Sequence, residues 1–134
     1  MASAKAWIST LQNPNLNLSF TYVISQTEVT FLDVKVRVSN QSLITELHCK
    51  EVAGNSLLHA KSAHPPSLIR SIPYGEMIRA KRNCYTMKVY EEEKITMIFR
   101  FKQRGYSSKV INSAVTKVDH LDRNQLVFKA NPFK

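Results

Sequence analysis

An α+β domain is the fold class this sequence predicts: an N-terminal three-stranded antiparallel β meander, then a bundle of about four helices with a helix-turn-helix-like unit. Three observations lead there. Apolar residues alternate with period two in the first third of the chain and recur at helical spacing afterwards. The breakers Gly54-Asn55 and His64-Pro65-Pro66-Ser67 stand between the two regimes. At 134 residues, 43% hydrophobic and 22% charged, the chain carries enough apolar material for one core.

A single domain over residues 1–134 is expected, divided into an N-terminal segment (1–15), the meander (16–52), a basic helical region (53–126) and a tail (127–134). A short helix over Lys5 to Leu11 ends at the turn-forming Asn13-Pro14-Asn15. Leu18, Phe20, Tyr22 and Ile24 alternate with polar residues, as do Leu32, Val34, Val36 and Val38. A third run, Leu43 to Cys49, alternates less cleanly. Ser25-Gln26-Thr27 and Ser39-Asn40-Gln41-Ser42 suit the hairpin connections. The apolar face of so small a sheet needs a cover, and the helices that follow can supply it. Leu68, Ile69 and Ile72 give a very short helix. Pro73 then suits the first position of another that runs to about Tyr85. A helix over residues 87–104 stops at Gly105, a C′ glycine. Ser107 or Ser108 caps the last one, whose Val110, Ile111, Ala114, Val115 and Val118 form an apolar stripe.

Charge is placed unevenly. The formal net charge is +9, yet residues 1–60 hold four basic and four acidic groups, whereas residues 61–109 hold eleven against four. A surplus gathered in one third of the chain is what phosphate contact requires; a solvated helix face is the plainer alternative. On the helix from Pro73, the periodicity assigns Tyr74, Met77, Ile78, Ala80, Cys84 and Tyr85 to a buried side, with Arg79 and Arg82 together on the other. Two neighbouring guanidiniums repel unless an anion lies between them. Lys81 projects from the apolar side and must reach the edge or find a partner. The nucleic-acid-binding candidates are Arg70, Arg79, Lys81, Arg82, Lys88, Arg100, Lys102, Arg104 and Lys109. Glu91-Glu92-Glu93 interrupts them near a helix start, where the dipole favours acids.

The residues needed for catalysis are not patterned for it. His48, Cys49, His59, His64 and Cys84 lack compact metal-ligand spacing, and Cys84 falls on the buried side, where a thiol acts as a small hydrophobe. Asp33, Asp119 and Asp122 form no carboxylate pair for two-metal chemistry. No glycine-rich phosphate loop or nucleophile elbow occurs. The expectation is a protein that is not an enzyme and uses no metal or cofactor. No apolar run reaches membrane-spanning length, and two cysteines make no disulfide framework, so an intracellular location, cytoplasmic or nuclear, is expected.

Four ordered motifs carry a resemblance. Phe31-Leu32-Asp33; His59-Ala60 with Ser62 and His64-Pro65; Pro73, Gly75, Arg79, Arg82 and Cys84; and Arg104-Gly105-Tyr106 resemble the segment that follows the active site in animal retroelement reverse transcriptases of the Penelope-like and related type. The similarity spans roughly residues 14–127. It implies an end-of-palm meander leading into a thumb-like helical region that grips the template–primer duplex through its backbone. The catalytic aspartate pair of that family is absent, so the resemblance implies a stand-alone, non-catalytic remnant, or a fragment of a longer reverse transcriptase; a nucleic-acid-binding protein is expected, with RNA favoured over DNA. The alternative expectation is a structural or adaptor subunit of a ribonucleoprotein, with Trp7, Phe128 and Phe133 as anchors.

Overall fold

A computed structural model describes residues 2–11, 20–48 and 54–127. It shows a three-stranded antiparallel sheet followed by four helices, the α+β arrangement expected. Helix α1 covers Ala2–Leu11; strands β1, β2 and β3 cover Glu28–Phe31, Val34–Ser39 and Ser42–Leu47; helices α2 to α5 cover Pro66–Asn83, Met87–Gln103, Ser108–Asp119 and Arg123–Val127.

The sheet is a meander in the order β1-β2-β3, but its first strand is not the expected one. Residues 20–25 form no strand, Leu18 lies outside the described residues, and Glu28–Phe31 pairs with β2 instead. The hairpin turns are Leu32-Asp33 and Asn40-Gln41, not Ser25-Gln26-Thr27, and the Phe31-Leu32-Asp33 motif is a strand end plus a turn. Charge sets this register. Glu28 lies opposite Arg37, and Lys35 opposite Glu46; Glu28 pairs with Lys35 at 3.2 Å, and Arg37 reaches Glu46. That face therefore carries an alternating ion ladder, each cross-strand pair contributing about 0.2–1 kcal/mol. The opposite face holds Val29, Phe31, Val34, Val36, Val38, Leu43 and Leu47 in the same registers. Asn40 and Gln41 both take positive φ, 47° and 63°, the type I′ conformation whose twist matches the strands.

The helices cover only one corner of that apolar face. Leu47 is the one strand residue among those described that is fully buried, whereas Phe31, Val38 and Leu43 stay exposed. Tyr85 N–H donates to Thr45 O at 2.8 Å, which fixes β3 against the α2–α3 turn. Asp33 fixes the other hairpin: its carboxylate accepts from Asn83 Nδ2 at 3.2 Å and lies 3.5 Å from Arg79 Nε.

The core lies where α2, α3 and α4 meet. Met77, Ala80, Cys84, Tyr90, Met97, Phe101, Ile111 and Val118 are buried there, joined by Leu47, Ile69 and Tyr106. Here α2 departs from expectation. It is one helix from Pro66 to Asn83, with Pro73 inside it, not a short helix followed by a second beginning at Pro73. A proline in a helix interior loses one hydrogen bond and costs about 3 kcal/mol. The helix continues because Ile69, Pro73, Met77 and Ala80 all lie on its buried face, so a break would pull that row out of the core. The expected helix-turn-helix at residues 68–85 is accordingly replaced by two others: α2 to α3 across Cys84–Thr86, and α3 to α4 across residues 104–107.

Both later boundaries fall where the sequence places them. Thr86 caps α3 by accepting from Val89 N–H. At its end Gly105 takes φ +77°, its N–H donates to Lys102 O at 3.0 Å, and Tyr106 N–H donates to Phe101 O at 3.1 Å. These two bonds make a Schellman cap, and the Phe101–Tyr106 ring contact, 5.6 Å between centroids, is the apolar clasp that accompanies it. Segment 54–65 straps over this end. Asn55 Nδ2 donates to Arg100 O, Ala60 N–H to Arg104 O and Tyr106 Oη to Leu58 O.

Candidate nucleic-acid interface

The nine candidate cations do not share one surface. Helix α2 is the clearest case, because its three positive positions near the end point three ways. Arg79 turns to the sheet and is held by Asp33 and, at 3.3 Å, by Glu76. Arg82 is exposed. Lys81 is only 4% exposed and leaves the candidate set. Its ammonium donates to Val118 O at 2.9 Å and Asp119 O at 3.0 Å and lies 5.3 Å from the Tyr90 ring centre. A cation there gives Asp119 O a donor, adds one to Val118 O, which also accepts from Leu121 N–H at 3.0 Å, and opposes the helix dipole. The expected Arg79–Arg82 anion clamp is thus divided: one guanidinium holds the sheet, the other faces solvent.

Around Lys81 lies a polar knot that explains several neighbours. Tyr90 Oη donates to Asp119 Oδ1 at 3.0 Å, and Lys94 bridges Glu91 and Asp119 at 2.7 and 3.1 Å. Burial, then the Asp119 carboxylate, pushes the Tyr90 phenol far above its usual range, so it remains a neutral donor. Cys84 is buried beside this knot, and burial raises its thiol pKa, which makes it unreactive.

On α3, Lys88 and Lys102 are exposed, whereas Arg100 and Arg104 are half-buried. Arg100 stands beside Glu93 and draws its carboxyl pKa down; burial is stronger, and the net shift of Glu93 is upward. Arg104 is the C-cap of α3, and its Nε is enclosed with no hydrogen-bond acceptor among the described residues. The histidines of the 54–65 strap make local hydrogen bonds within it. His59 Nδ1 accepts from Lys61 N–H, and His64 shares a hydrogen bond with Ser62. Cys49 lies outside the described residues, among which no three His, Cys, Asp or Glu side chains gather.

A coherent basic surface does occur, between α2 and α4. A groove of about 450 Å³ is lined by Arg70, Tyr74, Lys109, Val110, Ser113, Ala114 and Lys117. Two of these, Arg70 and Lys109, are expected cations; Tyr74, Ser113 and Lys117 are not. Tyr74 was assigned to the buried side yet is 37% exposed. Lys109, Ser113 and Lys117 recur every four residues, so a polar stripe opposite the apolar one on α4 was readable. Arg70 and Tyr74 are also one turn apart, but a helix break at Pro73 hides that relation. No carboxylate lines the groove. The nearest acids along these helices are engaged elsewhere, Glu76 with Arg79 and Asp119 with Lys94 and Tyr90.

Two helix–turn–helix units, α2 to α3 and α3 to α4, frame an acid-free cationic groove between α2 and α4. Consistent with that, residues 56–116 match the family model described as the animal helix-turn-helix domain, a segment that runs from the strap through α2 and α3 into α4. The match covers less than half of the chain and supports an animal helix-turn-helix domain there. No curated protein and no solved structure matches the chain. No helix among the described residues is long and apolar enough to cross a membrane.

Proposed function

We propose that this chain is a non-catalytic nucleic-acid-binding protein that grips the phosphate backbone through its basic helical surface, with RNA the favoured ligand. The observation that carries this reading is the coincidence of the helix-turn-helix match with the charge surplus: residues 56–116 contain nearly all of it. Arg70, Arg82, Lys88, Lys102, Lys109 and Lys117 are exposed and make no ion pair with the described residues, so they remain available to phosphates. The preference for RNA, and descent from the segment after a retroelement polymerase active site, rest on the four-motif resemblance. Labelled RNA titrated at low salt tests the reading. Arg70→Ala with Lys109→Ala should weaken binding by a similar factor for every sequence, because backbone contacts read no bases.

A second reading, a structural or adaptor subunit of a ribonucleoprotein, is favoured by a different observation. Phe31, Leu32, Val38 and Leu43 on the meander and Ile95 and Phe99 on α3 are all more than half exposed, and grouped apolar surface of this kind usually meets a protein. Trp7 is also exposed on α1; Phe128 and Phe133 lie outside the described residues. Light scattering on the purified protein separates the readings. A monomer that binds RNA unaided counts against an obligate subunit.

A further inference from the structure

We propose that the groove between α2 and α4 holds one unpaired nucleotide, its base against the Tyr74 ring and its flanking phosphates against Arg70, Lys109 and Lys117. This rests on the nucleic-acid-binding reading and sharpens it from backbone gripping to single-strand capture.

The groove differs from a simple phosphate track in having an apolar floor. Ala114 is buried and Val110 half-buried, and Tyr74, partly exposed, lines the groove from α2. A duplex backbone meets a protein through phosphates and sugars and needs only a cationic rim. A base face needs an aromatic or apolar platform, and stacking on one is sequence-tolerant because every base has a π-face. About 450 Å³ lies within the usual range for a small-molecule site; it suits a nucleotide and is far too small for a helix of nucleic acid.

The rim fits the same occupant. Arg70 and Tyr74 stand one turn apart on α2, and Lys109, Ser113 and Lys117 stand one turn apart on α4, so cations flank the platform from both helices. Three cations around one cleft with no carboxylate among them repel one another, and an anion between them relieves that repulsion. Ser113 adds a hydroxyl that can donate or accept toward a sugar or a phosphate.

Fluorescence anisotropy on the intact chain tests this, with a labelled single-stranded RNA that cannot self-pair and a blunt RNA duplex of equal length. The single strand should bind more tightly. Tyr74→Ala should weaken single-strand binding about 5- to 150-fold, the range of one lost stacking contact, and leave duplex binding unchanged. Tyr74→Phe keeps the ring and should bind like the parent, which guards against misfolding as the explanation. Lys117→Ala should lower the salt slope for the single strand by about 0.7. Equal affinity for the two RNAs overturns the proposal. So does a Tyr74→Ala protein that binds the single strand as the parent does while Arg70→Ala weakens it; the groove is then a backbone contact only. Failure to bind either RNA at low salt overturns the wider nucleic-acid reading as well.

Discussion

Lys81 illustrates how a single charged residue can look functional in a sequence and be structural in the fold. Its ammonium closes the end of α4 from inside the core. Lys81→Met keeps the stem and removes the donor, so Asp119 O loses its partner and Val118 O keeps only backbone donors. This should cost about 1–3 kcal/mol, read by denaturant unfolding, while the folded fraction binds RNA with parental affinity. Loss of binding without loss of stability would return Lys81 to the interface. Glu93 makes the converse point. Burial raises its carboxyl pKa despite Arg100 and Arg79, so the native state holds this proton more tightly than the unfolded chain does. Stability is therefore fullest when Glu93 is protonated and falls as pH rises from the ordinary glutamate pKa through the raised one. Glu93→Gln should be more stable than the parent at about pH 7.5, with the difference vanishing near about pH 4. Unfolding curves at the two pH values check it, and an unchanged difference would place the pH sensitivity elsewhere.

At the scale of elements, the β2–β3 turn carries local strain that a substitution can relieve. Gln41 is exposed and sits at φ +63°, a region that disfavours every residue with a Cβ. Gln41→Gly should stabilise by about 0.5–1 kcal/mol after the entropy of the added glycine is counted, a rise of a few degrees in Tm by thermal scanning. A lower Tm would mean the turn is not of the I′ type. Some boundaries were legible in the sequence: Gly105 ends α3, Ser107 stands at the N-cap of α4, though its side chain makes no cap hydrogen bond, and the stripe of α4 is the one read from its spacing. Elements decided by tertiary contact were not. Pro73 reads as a helix start until the buried row Ile69, Pro73, Met77 and Ala80 holds α2 together. Phe20 to Ile24 alternates as well as any strand, yet the ion ladder of Glu28 with Lys35 and Arg37 selects Glu28–Phe31. The candidate site followed suit. Arg70 and Lys109 were found from charge, Lys117 was readable from its four-residue spacing to Lys109 and Ser113, and Tyr74 needed a continuous α2 packed on α4.

For the whole molecule, the four motifs of the retroelement resemblance collapse into two internal joints. Asp33 of the first meets Arg79 of the third, and Ala60 of the second bonds Arg104 of the fourth. These residues hold the sheet to α2 and the strap to α3, so in this chain the four motifs describe how the domain is built more than what it touches. The proposed binding falls to the α2–α4 groove and to the exposed cations Lys88, Lys102 and Arg82, the last of which is the one exposed cation within those motifs. The most direct measurement is the affinity of the purified chain for a labelled single-stranded RNA across a salt series. Six cations each neutralising one phosphate correspond to a slope of log affinity against log salt of roughly −4 to −5. A slope in that region, made shallower by removing Arg70, Lys109 and Lys117 together, is the expected result. A flat dependence, or no binding at low salt, would contradict a nucleic-acid-binding function for this fold.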